Sequence, residues 1–187
     1  LLRLQARRSN SMEVKEALKE SVNRILSISV VHEFLSQQGD ENIDVMEVTK
    51  NILQLIQQNM LDSHFKLETE FIGETIILPS KQASNLALII NELILNSIEH
   101  GFLGRNYGKI GLKISQSDEA YIIELYDNGN GLPEKFFDLP TKSLGLQIVR
   151  TLIEGDMNGS FDLYNDNGVH AKIAIPYKFL MESEVDV

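Results

Sequence analysis

The chain has 187 residues with 43% hydrophobic content, enough for one sizeable core and a smaller appendage. Its formal net charge of -10 argues against nucleic acid, which needs a basic footprint, and against an anionic membrane surface. Cysteine is absent, so disulfides and thiolate metal sites are ruled out, and the chain fits a reducing compartment.

No apolar run approaches bilayer-spanning length and no signal peptide opens the chain, so a cytoplasmic location without membrane contact is expected for these residues. The chain opens "LLRLQARRSNS", inside a helical pattern and without Met. It reads as part of a longer protein, whose upstream part is free to carry a membrane anchor. His32, His64, His100 and His170 are scattered without metal-ligand spacing.

Leu1 to Arg8 reads as the end of a helix, broken by Ser9, Asn10 and Ser11. Asn10 with Glu13 three residues later resembles a capping box, and the helix it opens runs to about Gln38, where Gly39 stops it. Along this helix Val14, Leu18, Ile25, Ile28 and Leu35 recur at alternating three- and four-residue steps. Ser21 and His32 fill the gaps in that seam, which buries one stripe against other helices. Residues 1–38 are therefore expected to form a helical hairpin that pairs with another chain.

The polar stretch "QQGDENID" marks a boundary, with a second domain expected over 41–177 and a tail over 178–187. Asp44 and Glu47 form a capping box before "VTKNILQLIQQNM", an amphipathic helix. "KLETEF" alternates as a half-buried strand does. Pro79 and Ser80 open a long central helix that Gly101 ends. "KIGLKIS" and "AYIIELYD" are strands joined by a turn, "DNGNGLPE" breaks the second, and a short helix is expected near "PEKFF". "SLGLQIVRTLIEG" is a further helix. "GSFDLYN" and "HAKIAIP" alternate as strands around "DNG", a hairpin signal. The expected fold class is α+β: a helical hairpin, then an α/β sandwich with helices on one face of a mixed, mainly antiparallel sheet.

The central helix poses a chemical problem. From Ala87 to Ile98 nearly every residue is apolar, and a helix apolar all round is buried. Yet Glu92, Asn96 and Glu99 fall at i, i+4 and i+7, one polar face. Burying carboxylates and an amide without partners costs roughly several kcal/mol, so something is expected to meet that stripe. Two further stretches suggest what. In "YDNGNGLPE", Asp127 ends a strand, where its carboxylate can accept from an exocyclic amine. Gly129 and Gly131 follow and let backbone approach a flat ligand. In "TKSLGLQIV", Gly145 begins a helix, where free N–H groups and the dipole favour phosphate.

In this order and at these separations, "NELILNSIEHGF", "DNGNG" and "SLGLQIV" resemble the N box and two glycine boxes of the ATP-binding fold shared by gyrase, the Hsp90 chaperones, sensor histidine kinases and MutL. The resemblance covers about Glu41 to Tyr177 and implies a Bergerat sandwich, with ATP between the helices under a flexible lid. It implies that Asn96 ligates the Mg²⁺ bridging the phosphates and that Asp127 receives the adenine amine. Gly129, Gly131, Gly145 and Leu146 would shape the nucleotide cleft, and the stripe that includes Glu99 would face Mg-ATP. Glu92 is the catalytic candidate. It would act as general base toward water or orient a magnesium-bound water, with a salt bridge to a nearby Lys as the structural alternative. Lys142, beside Gly145, would touch the γ-phosphate or be a solvated lid residue. His100 caps the central helix, where a cation suits the dipole, and reads as structural.

Two positions depart from the family pattern. Ser143 stands where a glycine usually precedes "LGL", and Gly168-Val169 replaces a Gly-Thr pair whose hydroxyl helps hold the adenine pocket. Both soften nucleotide contacts without removing the magnesium or adenine carriers.

The N-terminal hairpin is similar to the dimerisation and histidine-phosphotransfer domain of the second HisKA type. Glu rather than Asn at position 92 and the short lid fit that subset and its HWE relatives. The resemblance implies a homodimer through the hairpin and the catalytic portion of a two-component sensor histidine kinase. It would move the γ-phosphoryl of ATP to a His, from which a response-regulator receiver domain takes it. Such transfer needs positioning and charge neutralisation more than covalent help. In this subfamily the accepting His lies on the first helix of the hairpin, hence upstream of Leu1. His32, followed by Glu33, sits on the second helix in the packing seam and reads as packed. One alternative is an anti-sigma-factor serine kinase, whose N box can also read "N-x-x-E-H-G"; the hairpin argues against it. The other is a degenerate module that dimerises without chemistry, which Ser143 and Val169 keep open and Asn96 and Asp127 oppose.

Overall fold

The computed structural model describes residues 42–62, 64–136 and 144–182. The hairpin expected over 1–38, with its seam and His32, lies outside the described residues, as do Lys142 and Ser143.

Strand β1 (Ile43–Asp44) leads directly into helix α1 (Val45–Asn59). Asp44 Oδ1 accepts the Glu47 N–H at 2.9 Å, so the helix starts where the capping pair places it. One stripe of α1, including Val45, Val48, Ile52 and Ile56, is buried. Strand β2 (Lys66–Ile72) follows, then β3 (Ile77–Leu78), which pairs with β1. Helix α2 (Ser80–Asn96) is the central helix; Ala83 N–H bonds the Pro79 carbonyl at 3.0 Å to open it. Its last turn, Ser97–Gly101, widens to π geometry, with the Phe102 N–H reaching back to the Ser97 carbonyl at 2.9 Å.

Strands β4 (Tyr107–Gln116) and β5 (Ala120–Asp127) come next. Helix α3 (Leu144–Arg150) continues into a second π turn, Thr151–Asp156. Strands β6 (Ser160–Asn165) and β7 (Val169–Pro176) precede a last helix, α4 (Tyr177–Glu182). The five-stranded sheet has the order β2-β4-β5-β7-β6. β2 runs parallel to β4 and the other pairs are antiparallel. A parallel pair needs a long crossover, and the segment from β3 through α2 supplies it.

Register separates the two faces of the sheet. Leu112 pairs with Leu125 and Leu125 with Ala171, while Ile114 pairs with Ile123 and Ile123 with Ile173. All of these are buried in one cluster with Leu86, Ile89, Ile90 and Ile94 of α2 and with Val149 of α3. The alternate positions, Glu70, Lys109, Glu124, Tyr126, His170 and Lys172, lie on the open face. The mixed, mainly antiparallel sheet with helices on one face is thus observed. Of the stretch "PEKFF", the residues up to Phe136 are described and make one turn, with the Phe136 N–H bonding the Pro133 carbonyl at 2.9 Å; the rest of the expected short helix lies outside the described residues.

Candidate functional site

A cavity of about 320 Å³ opens between the end of α2 and the inner face of the sheet. This is within the range of small-molecule sites, roughly 300–1,000 Å³. Its helical wall is Leu93, Asn96, Ser97, His100 and Gly101, and its sheet wall includes Leu125, Asp127, Val169 and Ala171. Gly131, Leu132, Pro133 and Phe136 close one side and Leu146 of α3 another.

Asp127 is 4% exposed, and a buried carboxylate needs partners. Its Oδ1 accepts the N–H of Gly129 at 2.7 Å and that of Val169 at 3.2 Å, and Oδ2 accepts the Ser97 hydroxyl at 2.7 Å. Asn96 is in the opposite condition. Its Nδ2 is buried with no hydrogen-bond partner among the described residues. Such an orphan costs about 1–3 kcal/mol, and a ligand in the cavity that Asn96 lines would meet it.

The loop after Asp127 is tied down at several points. Asn128 Oδ1 accepts the Lys109 N–H at 2.7 Å, and the Arg105 guanidinium donates to the Asn128 carbonyl. The Asn130 N–H bonds the Gly101 carbonyl at 2.8 Å. Gly129 lies so close to the π turn that a Cβ there would come within 2.6 Å of the Gly101 oxygen. Gly131 takes φ 76°, a conformation only glycine adopts freely. Asn165 of β6 accepts the Leu132 N–H at 2.8 Å and donates to the Leu132 carbonyl at 3.1 Å. A side-chain amide thereby acts as a strand neighbour for the segment that walls the cavity.

Of the residues singled out in the sequence, Asn96, Asp127, Gly131 and Leu146 meet on the cavity wall. Gly129 stands behind it and holds Asp127 by its N–H. Gly145 is buried in the first turn of α3. Glu92, 3% exposed, and Glu99 are not among the wall residues. A uniform helix would carry the Glu92, Asn96, Glu99 stripe on one face. Leu93, Asn96, Ser97 and His100, at i, i+3, i+4 and i+7, form the neighbouring helical face, which shares only Asn96 with that stripe, and it is this face that the cavity meets. His100, read as a structural cap, therefore lines the cavity. Ser97 was not singled out; its signal was a lone hydroxyl in an apolar run beside Asn96. The hairpin "DNG" at Asp166 to Gly168 read as a plain turn, yet it delivers the Val169 N–H to Asp127.

The open face behind the site carries its own network. Tyr126 donates its hydroxyl to Glu70, and burial followed by that bond pushes its pKa up to about 12. Tyr164 donates to Glu124 at 2.6 Å, which with partial burial pushes its pKa up to about 12 as well. Burial alone would raise Glu124, but the bonds from Tyr164 and His170 outweigh it and hold the carboxyl below the usual range. The His170 ring stacks between Tyr126 and Tyr164, at centroid separations of 5.3 and 5.2 Å.

Among the described residues there is no cluster of three or more His, Asp or Glu placed to hold a metal, and no helix long and apolar enough to cross a membrane.

Two families match the chain: one described as "Histidine kinase" over residues 1–60, the other as "Histidine kinase-, DNA gyrase B-, and HSP90-like ATPase" over residues 81–179. The sensor histidine kinase PdtaS of Mycobacterium tuberculosis is 36% identical over 179 residues, which is 94% of this chain and 36% of that protein. Blue-light-activated histidine kinase 2 of Erythrobacter litoralis is 30% identical over 99 residues, 52% of this chain and 28% of its own. The chain thus spans about a third of the length of these curated relatives. The solved histidine kinase domain of the Erythrobacter litoralis EL346 blue-light activated histidine kinase superposes with a TM-score of 0.69 at 21% identity, covering 97% of this chain and 95% of that one. The catalytic domain of histidine kinase ThkA gives 0.59 at 22% identity, covering 72% and 93%. Both have the fold described above.

Proposed function

The chain belongs to the histidine kinase-, DNA gyrase B- and HSP90-like ATPase family, and from that premise we propose that it is the catalytic portion of a two-component sensor histidine kinase. It binds Mg-ATP and passes the γ-phosphoryl group to a histidine, from which a response-regulator receiver domain takes it. Residues 1–38 would be the C-terminal part of a dimerisation and histidine-phosphotransfer hairpin, and 41–177 the ATP-binding domain.

The observation that carries this reading is Asp127: a buried carboxylate, fixed by donors on three sides, that still faces an apolar cavity of nucleotide-base dimensions. It would accept the adenine amine, while Leu93, Leu125, Leu146 and Ala171 would cover the faces of the base. Asn96 fits magnesium. Its amide lines the cavity, and a hard cation takes an amide oxygen together with phosphate oxygens and waters, without a cage of carboxylates, while the unsatisfied Nδ2 would donate to a phosphate oxygen. The bound ion would neutralise charge on the phosphates during transfer. Glu92, one turn before Asn96, would orient a water of that ion or act as base toward water. Glu99 and Lys142 would stand at the phosphate end, and Gly145 with Leu146 would shape the lid side. Gly129 and Gly131 would hold the loop close to the base.

Titration calorimetry tests the assignment. Asp127→Asn replaces an acceptor oxygen with a donor, and Mg-ADP affinity should fall about tenfold to a hundredfold, as expected for one bond to a charged acceptor. Asn96→Ala should weaken binding more with magnesium than with the metal chelated. Wild-type affinity in both variants would remove the assignment.

A further inference from the structure

We propose that Ser97 is the positioning residue that aims Asp127 at the purine base, and that it thereby sets the preference for a 6-amino purine. The proposal rests on the nucleotide reading above.

The two oxygens of Asp127 are not equivalent. Oδ1 accepts two backbone N–H groups, from Gly129 at 2.7 Å and Val169 at 3.2 Å. A carboxylate oxygen has about two lone-pair sites, so Oδ1 has no capacity left and the ligand must use Oδ2. That oxygen already receives the Ser97 hydroxyl at 2.7 Å, which leaves a single lone-pair direction free.

A serine in a helix ordinarily donates to the carbonyl one turn back. Here that carbonyl, Leu93, lies at 3.3 Å from Ser97 Oγ, whereas Asp127 Oδ2 lies at 2.7 Å. The shorter bond to the charged acceptor is the stronger, so the one hydroxyl proton goes to Asp127. Ser97 reaches it because it lies on the same helical face as Leu93, Asn96 and His100, is 5% exposed and lines the same cavity as Asp127. Around the carboxylate every donor, two N–H groups and one O–H, points at Asp127 itself. What a base meets there is acceptors only: the free lone pair of Oδ2 and those of Ser97 Oγ. An amine at position 6 satisfies them. An oxo group at the same position meets like dipoles and no proton.

Calorimetry on the 187-residue chain with Mg-ADP, inosine diphosphate and purine riboside diphosphate, which carries only hydrogen at position 6, tests this. Wild type should prefer ADP to both analogues. Ser97→Ala should lower ADP affinity about fivefold to tenfold and change that for purine riboside diphosphate by less than about twofold, the signature of one hydrogen bond weakened at the amine. The ratio of the two affinities is insensitive to any unfolded fraction, which lowers both alike. Ser97→Thr, which keeps the hydroxyl, should keep the preference. An equal loss for both nucleotides in Ser97→Ala would assign Ser97 to helix packing, and an unchanged ADP affinity would assign its proton to Leu93; either overturns the proposal. A wild-type chain that binds no Mg-ADP would instead remove the proposed function, a separable result.

Discussion

Gly168 presses against the backbone of Asp127 so closely that a Cβ on it would overlap the Asp127 carbonyl oxygen. Its φ of 145° is also one that side-chain-bearing residues avoid. The next N–H in the chain, that of Val169, is the one that holds Asp127 Oδ1. The hairpin turn and the carboxylate are thus mechanically joined.

Gly168→Ala should therefore move the hairpin off Asp127. We expect nucleotide affinity to fall by about tenfold or more and stability by about 1–3 kcal/mol, the cost of a residue forced into a disfavoured conformation. Gly155→Ala is the control, since a Cβ there meets nothing within 4 Å, and it should leave both quantities unchanged. Calorimetry and thermal melts on the two variants decide the matter.

Asn165 predicts a local effect. Its amide supplies both hydrogen bonds to Leu132, so Asn165→Ala leaves that segment without its lateral partner. Hydrogen exchange should speed up at the Leu132 amide while amides in β5 and β7 keep their protection. Nucleotide affinity should drop by about threefold to tenfold, consistent with one or two modest hydrogen bonds. Unchanged exchange at Leu132 would mean that the clamp does not hold the segment.

The open face predicts a loss of stability at alkaline pH. Tyr126 and Tyr164 are both pushed up to about 12, Tyr126 by burial and then Glu70, Tyr164 by Glu124 and then burial. Their ordinary value is about 10, so the folded protein holds these protons more tightly than the unfolded chain. The stability they contribute is fully present below pH of about 10 and is lost as pH rises through about 12. Tyr126→Phe should flatten that decline, and absorbance titration should show a missing late-titrating tyrosine. Gly111 belongs to the same device: a Cβ there would overlap the Tyr126 ring that crosses β4 to reach Glu70. Gly111→Ala should bring the Tyr126 titration back toward the ordinary value.

Much of this was legible because local chemistry and tertiary structure agree. Asp44 and Glu47 announce the start of α1, and the alternation in "KLETEF" and "HAKIAIP" matches the buried-exposed pattern of β2 and β7 less well at the sheet edge than at its centre. Asn96 stood out as an amide in an apolar helix, and Asp127 as the carboxylate that ends a strand just before Gly129 and Gly131. What was not legible depended on geometry that no residue type signals. Leu93, Asn96, Ser97 and His100 lie on an ordinary helical face beside that of Glu92 and Glu99, and only the docking of the helix on the sheet selects which of the two meets the cavity. The second "DNG" has ordinary hairpin chemistry; only the packing of Gly168 on Asp127 gives it a part in the site. Asn165 lies 33 residues from Leu132, a separation across which sequence periodicity carries no information.

The helix that walls the cavity is also the link that lets β2 lie parallel to β4. In many binding proteins the site sits on loops that open while the scaffold stays closed. Here the chain cannot complete its sheet until α2 has crossed over it, so site and scaffold form as one cooperative unit. Ligand saturation should then be felt far from the ligand. Nucleotide at a hundred times its Kd adds about 2.7 kcal/mol to the folded state, and that increment should appear in the slow exchange of β2 amides at the sheet edge as fully as in α2 itself.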